Sequence, residues 1–122
     1  MNTIKKEVFG MRQIVSHLWF DKEAEEAAKF YTTVFDHSEI IRKQEFKDTP
    51  SGDAQSVSFR LENLTFSAIN GGPFFKINPS ISIMVSLSEA SEVNNLYTKL
   101  AEGGQDLMPL DSYPFSERYA WF

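Results

Sequence analysis

His17 has the widest chemical repertoire of any side chain in this sequence of 122 residues, which carries two histidines and no cysteine. A neutral imidazole binds zinc, iron or nickel and moves protons near neutral pH. It stands in Ser16-His17-Leu18-Trp19-Phe20, a run that reads as a strand. Side chains alternate across a strand, so His17 and Trp19 share one face and Leu18 and Phe20 the other. A metal needs further ligands, and the sequence offers few near by. The second histidine, in Asp36-His37-Ser38, follows a predicted helix, where a cation suits the negative helix end. It reads as structural or solvated. Neither histidine stands in the setting of a Ser/His/Asp triad. With no cysteine, thiolate metal sites, disulfides and a sulfur nucleophile are all excluded.

The elements that must position His17 occur twice. Residues 14–35 read as a strand entering an acidic-capped amphipathic helix, and residues 81–104 read the same way. The first helix is predicted over residues 22–35, with Asp21 as N-cap and Glu23, Glu25 and Glu26 at its positive end. Ala24, Ala27, Ala28, Tyr31, Val34 and Phe35 form its buried stripe. The second helix is predicted over residues 89–102, with Ser88 as N-cap, a stripe of Val93, Leu96, Tyr97, Leu100 and Ala101, and a stop at Gly103-Gly104. Strands are predicted at residues 39–46, 55–61 and 64–70, with turn chemistry at residues 48–53 and a tight hairpin at Glu62-Asn63. The second copy opens with a strand over residues 81–87. It continues with a short strand near residues 106–108, a proline-punctuated loop and a strand beginning at residues 119–122. Aligning Asp21 with Ser88 matches Ile14, Ser16, Leu18 and Phe20 with Ile81, Ile83, Val85 and Leu87, the face predicted to lie under the helices. His17 then matches Met84, a poor ligand for hard divalent ions.

The fold class is therefore α+β, a duplicated strand–helix–strands unit with a cavity between the two copies. Module one covers residues 11–72 and module two residues 73–122, the second C-terminally incomplete. Residues 1–10 read as an N-terminal arm or an expression remnant. One domain of 14.0 kDa is large enough for a single core. A net charge of −5 without any basic cluster argues against a nucleic-acid partner. No apolar run approaches the roughly 20 residues of a membrane helix, and no signal-peptide pattern opens the chain, so a cytoplasmic, non-membrane protein is expected.

Aromatic residues make up 14% of the chain, enough to line a pocket as well as a core. Trp19, Phe66 and Met84, with Trp121, are predicted to form an apolar wall, and Ser82 and Ser86 its polar tips. Arg60 shares a strand face with Ser56 and Ser58, where it binds either a ligand anion or a surface carboxylate. Glu117, in the loop over residues 113–118, is the remaining acid/base candidate. Asn70-Gly71-Gly72-Pro73, with Lys76 beyond it, reads as a turn between modules.

Three blocks in order, HLWFDKEAEEAAKFYTTVF, FSAINGGPFFKINPSISIMVS and GGQDLMPLDSYPFSERYAWF, resemble the PhnB-like branch of the glyoxalase/bleomycin-resistance/dioxygenase (vicinal oxygen chelate) superfamily. Members are often labelled 3-demethylubiquinone-9 3-methyltransferase-like. The Gly-rich strand-to-helix turn of an S-adenosylmethionine methyltransferase is nevertheless missing here. The resemblance implies two tandem βαβββ modules with curved mixed sheets around a cavity, often holding a divalent metal, and a homodimer, sometimes with exchanged modules. It also implies that the first strand supplies a metal ligand, which here is His17, and that a glutamate is often found in a last strand beyond this chain. Two functions follow: a binder of an apolar or aromatic small molecule in a dimeric cup, or a metal-dependent lyase, isomerase or dioxygenase. The enzyme would use His17 with ligands from a missing tail or a partner chain. The residues favour the binder.

Overall fold

A computed structural model describes residues 3–5, 12–50 and 52–122. It divides into two compact units, Met1–Pro79 and Ser80–Phe122.

The first unit runs β1 (Ser16–Phe20), α1 (Ala24–Val34), β2 (Ser38–Thr49), β3 (Gly52–Leu61) and β4 (Leu64–Asn70). The four strands form one curved mixed sheet in the order β1-β4-β3-β2. β1 pairs in parallel with β4, and the remaining pairs are antiparallel. A parallel neighbour requires a crossover, which α1 and the β2–β3 hairpin provide by returning the chain to lie beside β1.

Alternation along the strands separates the two faces. Phe59 lies opposite Phe66 and Val57 opposite Ala68. These four are buried together with Ala24 and Ala28 of α1, and Leu18, Phe20, Tyr31 and Ile40 pack around them. Phe59 and Phe66 stack with centroids 5.0 Å apart. The alanines allow α1 to approach the sheet closely, and the Lys43–Glu25 ion pair, at 2.7 Å, ties β2 to the helix on the same side. In β2 the register shifts between Ile40 and Arg42, leaving Ile41 as an extra, unpaired residue. Such a bulge inverts the alternation beyond it, so Ile40 faces the core while Arg42 faces away from it.

Both helices are shorter than expected. α1 begins at Ala24 rather than Lys22, and Asp21 is not its N-cap. The amides of Gly71 and Gly72 bond to the carbonyls of Phe20 and Asp21, so Asp21 still belongs to the extended ladder. Glu23 takes the cap position without a side-chain bond, and the Ala24 N–H donates instead to Asn70 Oδ1 at 2.8 Å. The cap thus comes from the end of β4. Ile14, expected under the helix, precedes β1 and is fully exposed.

The second unit contains α2 (Ala90–Leu100), β5 (Met108–Tyr113) and β6 (Ser116–Trp121), the two strands forming an antiparallel hairpin. Glu89 rather than Ser88 occupies the N-cap position of α2. Gly103 has φ +78°, and the Gly104 amide closes the helix end on the Ala101 carbonyl. Arg118 Nε donates to Asn94 Oδ1 at 2.8 Å, joining β6 to α2. The proline-punctuated loop is in fact part of this hairpin.

The largest departure concerns residues 81–87, which form no strand. In the first unit β1 is held by β4, the fourth strand of its module. Here α2, β5 and β6 repeat α1, β2 and β3, and no described strand takes the place of β4. An extended segment without that neighbour has no ladder to join. Ile81 and Met84 are 76% and 81% exposed in consequence.

Candidate functional site

The face of the four-stranded sheet turned away from α1 is the surface on which His17 and Trp19 stand. From β1 to β2, one row reads His17, Ser67, Ser58 and Arg42, and the next reads Trp19, Ile69, Ser56 and Gln44. Residues paired across a ladder share a face, so these rows form one polar surface with an aromatic and aliphatic corner.

His17 remains open to solvent, with Nδ1 3.3 Å from Thr3 Oγ1. Partial desolvation, and then the nearby Lys5 charge, hold its pKa below the ordinary 6.5. Both effects penalise imidazolium, so the ring is neutral at pH 7.

Trp19 is fixed from several sides. Its indole N–H donates to the Gly72 carbonyl at 2.9 Å, and Phe75 meets its ring edge-on with centroids 5.0 Å apart. Gly71 lies directly beneath, where a Cβ would come within 2.4 Å of Trp19 Cη2. Each of the paired glycines therefore has its own part in this corner. Gly71 seats the indole, and Gly72 turns the chain at φ +94°. A ring held in this way makes a rigid wall, because little conformational freedom remains for a ligand to quench.

Arg60 shares this face, but its guanidinium is engaged. Nη1 donates to the carbonyls of His37 and Glu62 at 3.2 and 2.8 Å, and Nη2 lies 3.6 Å from Glu39 Oε1. These contacts close the β2–β3 end of the sheet. Phe66 requires a correction: it is 3% exposed in the core under α1, not on the pocket wall. Its own strand carried the signal, since Leu64, Phe66 and Ala68 alternate with Thr65 and Ser67.

Ser82, Met84 and Ser86 lie in the unpaired, exposed segment of the second unit. Trp121 is half-buried on β6, paired with Met108. Glu117 is exposed on β6 at the margin of a shallow cleft of about 160 Å³, beside Ser88, Glu89 and Arg118. A larger cleft of about 380 Å³ in the first unit opens beside the start of α1 and contains neither His17 nor Trp19. Its charged lining is partly satisfied internally, with Lys47 and Asp53 3.4 Å apart.

The donor set around His17 does not suit a divalent ion. Its row-mates are two hydroxyls and an arginine, and among the described residues no three His, Asp or Glu side chains gather to hold a metal. Sequence reasoning missed two further residues. Asn70 gains its role from a helix start distant in the chain, and Arg42 owes its face to a bulge.

A helix-backed curved sheet in this strand order, followed by a second helix and a small sheet, defines a glyoxalase-like fold. The family model described as 3-demethylubiquinone-9 3-methyltransferase matches residues 12–122, and the chain belongs to this family, in its PhnB-like branch. A solved structure described as a putative 3-demethylubiquinone-9 3-methyltransferase, PhnB protein, from Bacillus cereus is 33% identical. The match covers 90% of this chain and 89% of that one, with a TM-score of 0.78. A protein of Staphylococcus aureus is 31% identical over 88% of this chain and 82% of its own, but its TM-score of 0.38 gives no support to the fold. No curated protein matches the sequence. Among the described residues no helix is long and apolar enough to cross a membrane.

Proposed function

We propose that this protein is a small-molecule-binding member of its family. It receives an apolar or aromatic ligand on the open face of the first unit, in a cup that a second copy of the chain completes. The observation that carries this reading is the contrast between the two faces of one sheet. One is closed by α1, while the other presents a pinned indole beside Ser56, Ser58 and Ser67. Among the described residues these hydroxyls have no hydrogen-bond partner. Such a mixture of an aromatic wall and a few free polar groups suits a small organic ligand.

The family description names a methyltransferase, but the β1–α1 turn here is Asp21-Lys22-Glu23, without the glycines that let backbone approach a cofactor. The donor set around His17 likewise favours binding over metal-assisted chemistry. The exposed apolar run over residues 81–87 supports self-association, because an uncovered extended segment invites pairing.

Saturation-transfer NMR against a set of one- and two-ring aromatic compounds tests the binding. At least one compound should bind wild type and lose its signal in Trp19→Ala, whereas a set with no binder would defeat the reading. Native mass spectrometry tests the assembly. A monomer at micromolar concentration would remove the second copy from the cup.

A further inference from the structure

The row His17, Ser67, Ser58, Arg42 crosses the sheet with one residue per strand. At about 4.8 Å between strands it spans roughly 14 Å, comparable with a two-ring molecule bearing one substituent. Its ends differ. Near β1 stand Trp19 and Ile69, an aromatic and aliphatic corner. At β2 stands Arg42, which among the described residues has neither an ion pair nor a side-chain hydrogen bond.

The neighbouring cations are committed elsewhere. Lys43 is bound to Glu25 on the helix side, and Arg60 holds Glu39 and two carbonyls. In a chain of net charge −5, this leaves a single unneutralised guanidinium beside the hydroxyl strip, with the one carboxylate in the adjoining row, Glu39, already taken. A guanidinium presents planar paired donors that match an oxyanion, and serine hydroxyls supply further donors. At the opposite end His17 is held neutral, and Lys5 is the charge near it.

From this juxtaposition we infer that the ligand of the open face is an aromatic oxyanion, an organic carboxylate, sulfonate or phosphate. Arg42 and Ser58 take its charged group, and its ring lies toward Trp19 and Ile69. The inference rests on the binding function proposed above and gives that ligand its charge.

The test uses the full chain and two probes with the same rings, 8-anilinonaphthalene-1-sulfonate and neutral N-phenyl-1-naphthylamine, titrated by fluorescence. Arg42→Gln should weaken the sulfonate about tenfold, about 1.4 kcal/mol, and change the neutral probe less than about twofold. Ser58→Ala should weaken the sulfonate by a smaller factor, and Arg42→Lys should retain part of the affinity. Arg42 is exposed, and an unchanged circular dichroism spectrum confirms that each variant folds. Equal sulfonate affinity in wild type and Arg42→Gln would overturn the inference, as would equal losses for both probes. If wild type binds only the neutral probe, the inference fails while the binding function stands. If it binds neither, both fail.

Discussion

Adding one methyl group at Gly71 tests whether Trp19 is seated as tightly as the structure shows. A Cβ there would lie 2.4, 2.5 and 2.8 Å from Trp19 Cη2, Cζ2 and Cζ3, against an ordinary contact of about 3.4 Å or more. Gly71 does not have a positive φ, so the substitution strains packing and not backbone. The indole must move by close to an ångström, and it then loses its 2.9 Å bond to the Gly72 carbonyl. Overpacking costs about 1–3 kcal/mol and the hydrogen bond about 1 kcal/mol, giving about 2–4 kcal/mol for Gly71→Ala. With a urea slope of about 1–3 kcal/mol/M, the midpoint should fall by about 1–2 M. Circular dichroism is the appropriate probe, because it does not depend on the tryptophan being perturbed. Trp19→Phe removes the atoms that would be struck, so in that background Gly71→Ala should cost less than about 0.5 kcal/mol. Additive costs in the double variant would refute the reasoning, since the penalty would then arise elsewhere.

Three further outcomes follow from the same geometry. Asn70→Ala removes the acceptor that caps Ala24 and should cost about 1–2 kcal/mol in urea unfolding, whereas Asn70→Asp, which keeps the acceptor, should cost much less. Hydrogen bonding and charge from Lys43, then Lys29, hold the Glu25 pKa below its ordinary 4.5. A depressed folded pKa gives stability that is present above the unfolded value and lost as pH falls through the folded one. The stability gap between wild type and Lys43→Met should therefore be open at neutral pH and close in acid; a gap independent of pH would sink that account. Dialysis against a chelator should change neither the urea midpoint nor probe binding, and a stoichiometric ion lost in His17→Ala would contradict the donor-set argument.

How far the sequence reached depended on how local each signal was. The helical stripes and the shared face of His17 and Trp19 were legible, because period 3.6 and period 2 are properties of neighbouring residues. Phe66 was placed on the wrong face although Thr65 and Ser67 beside it marked the polar side. The cap on α1 could not be seen, since Asn70 stands 46 residues from Ala24 and meets it only when β4 ends beside the helix. Residues 81–87 look like a strand by alternation, but a strand also needs a neighbour, which no periodicity supplies. Arg60 had two open readings, and its contacts with Glu39 and the His37 and Glu62 carbonyls were legible in neither, since they depend on the pairing of β2 with β3.

The extra residue at Ile41 sets the phase of everything after it in β2. With it, Lys43 and Glu45 fall on the helix side, opposite Val57 and Gln55, while Arg42 and Gln44 fall on the outer side, opposite Ser58 and Ser56. Deleting Ile41 would remove the bulge and leave these pairs as they are, with Arg42 next to Ile40 and still opposite Ser58; drawing Ile41 into the ladder would instead exchange the two sets and break the tether to Glu25. In this strand the bulge, as much as the residue types, decides which charges reach the outer surface. Relatives of the same length in which Ile41 is paired should therefore differ in the charge they present, whereas relatives lacking only this residue should not.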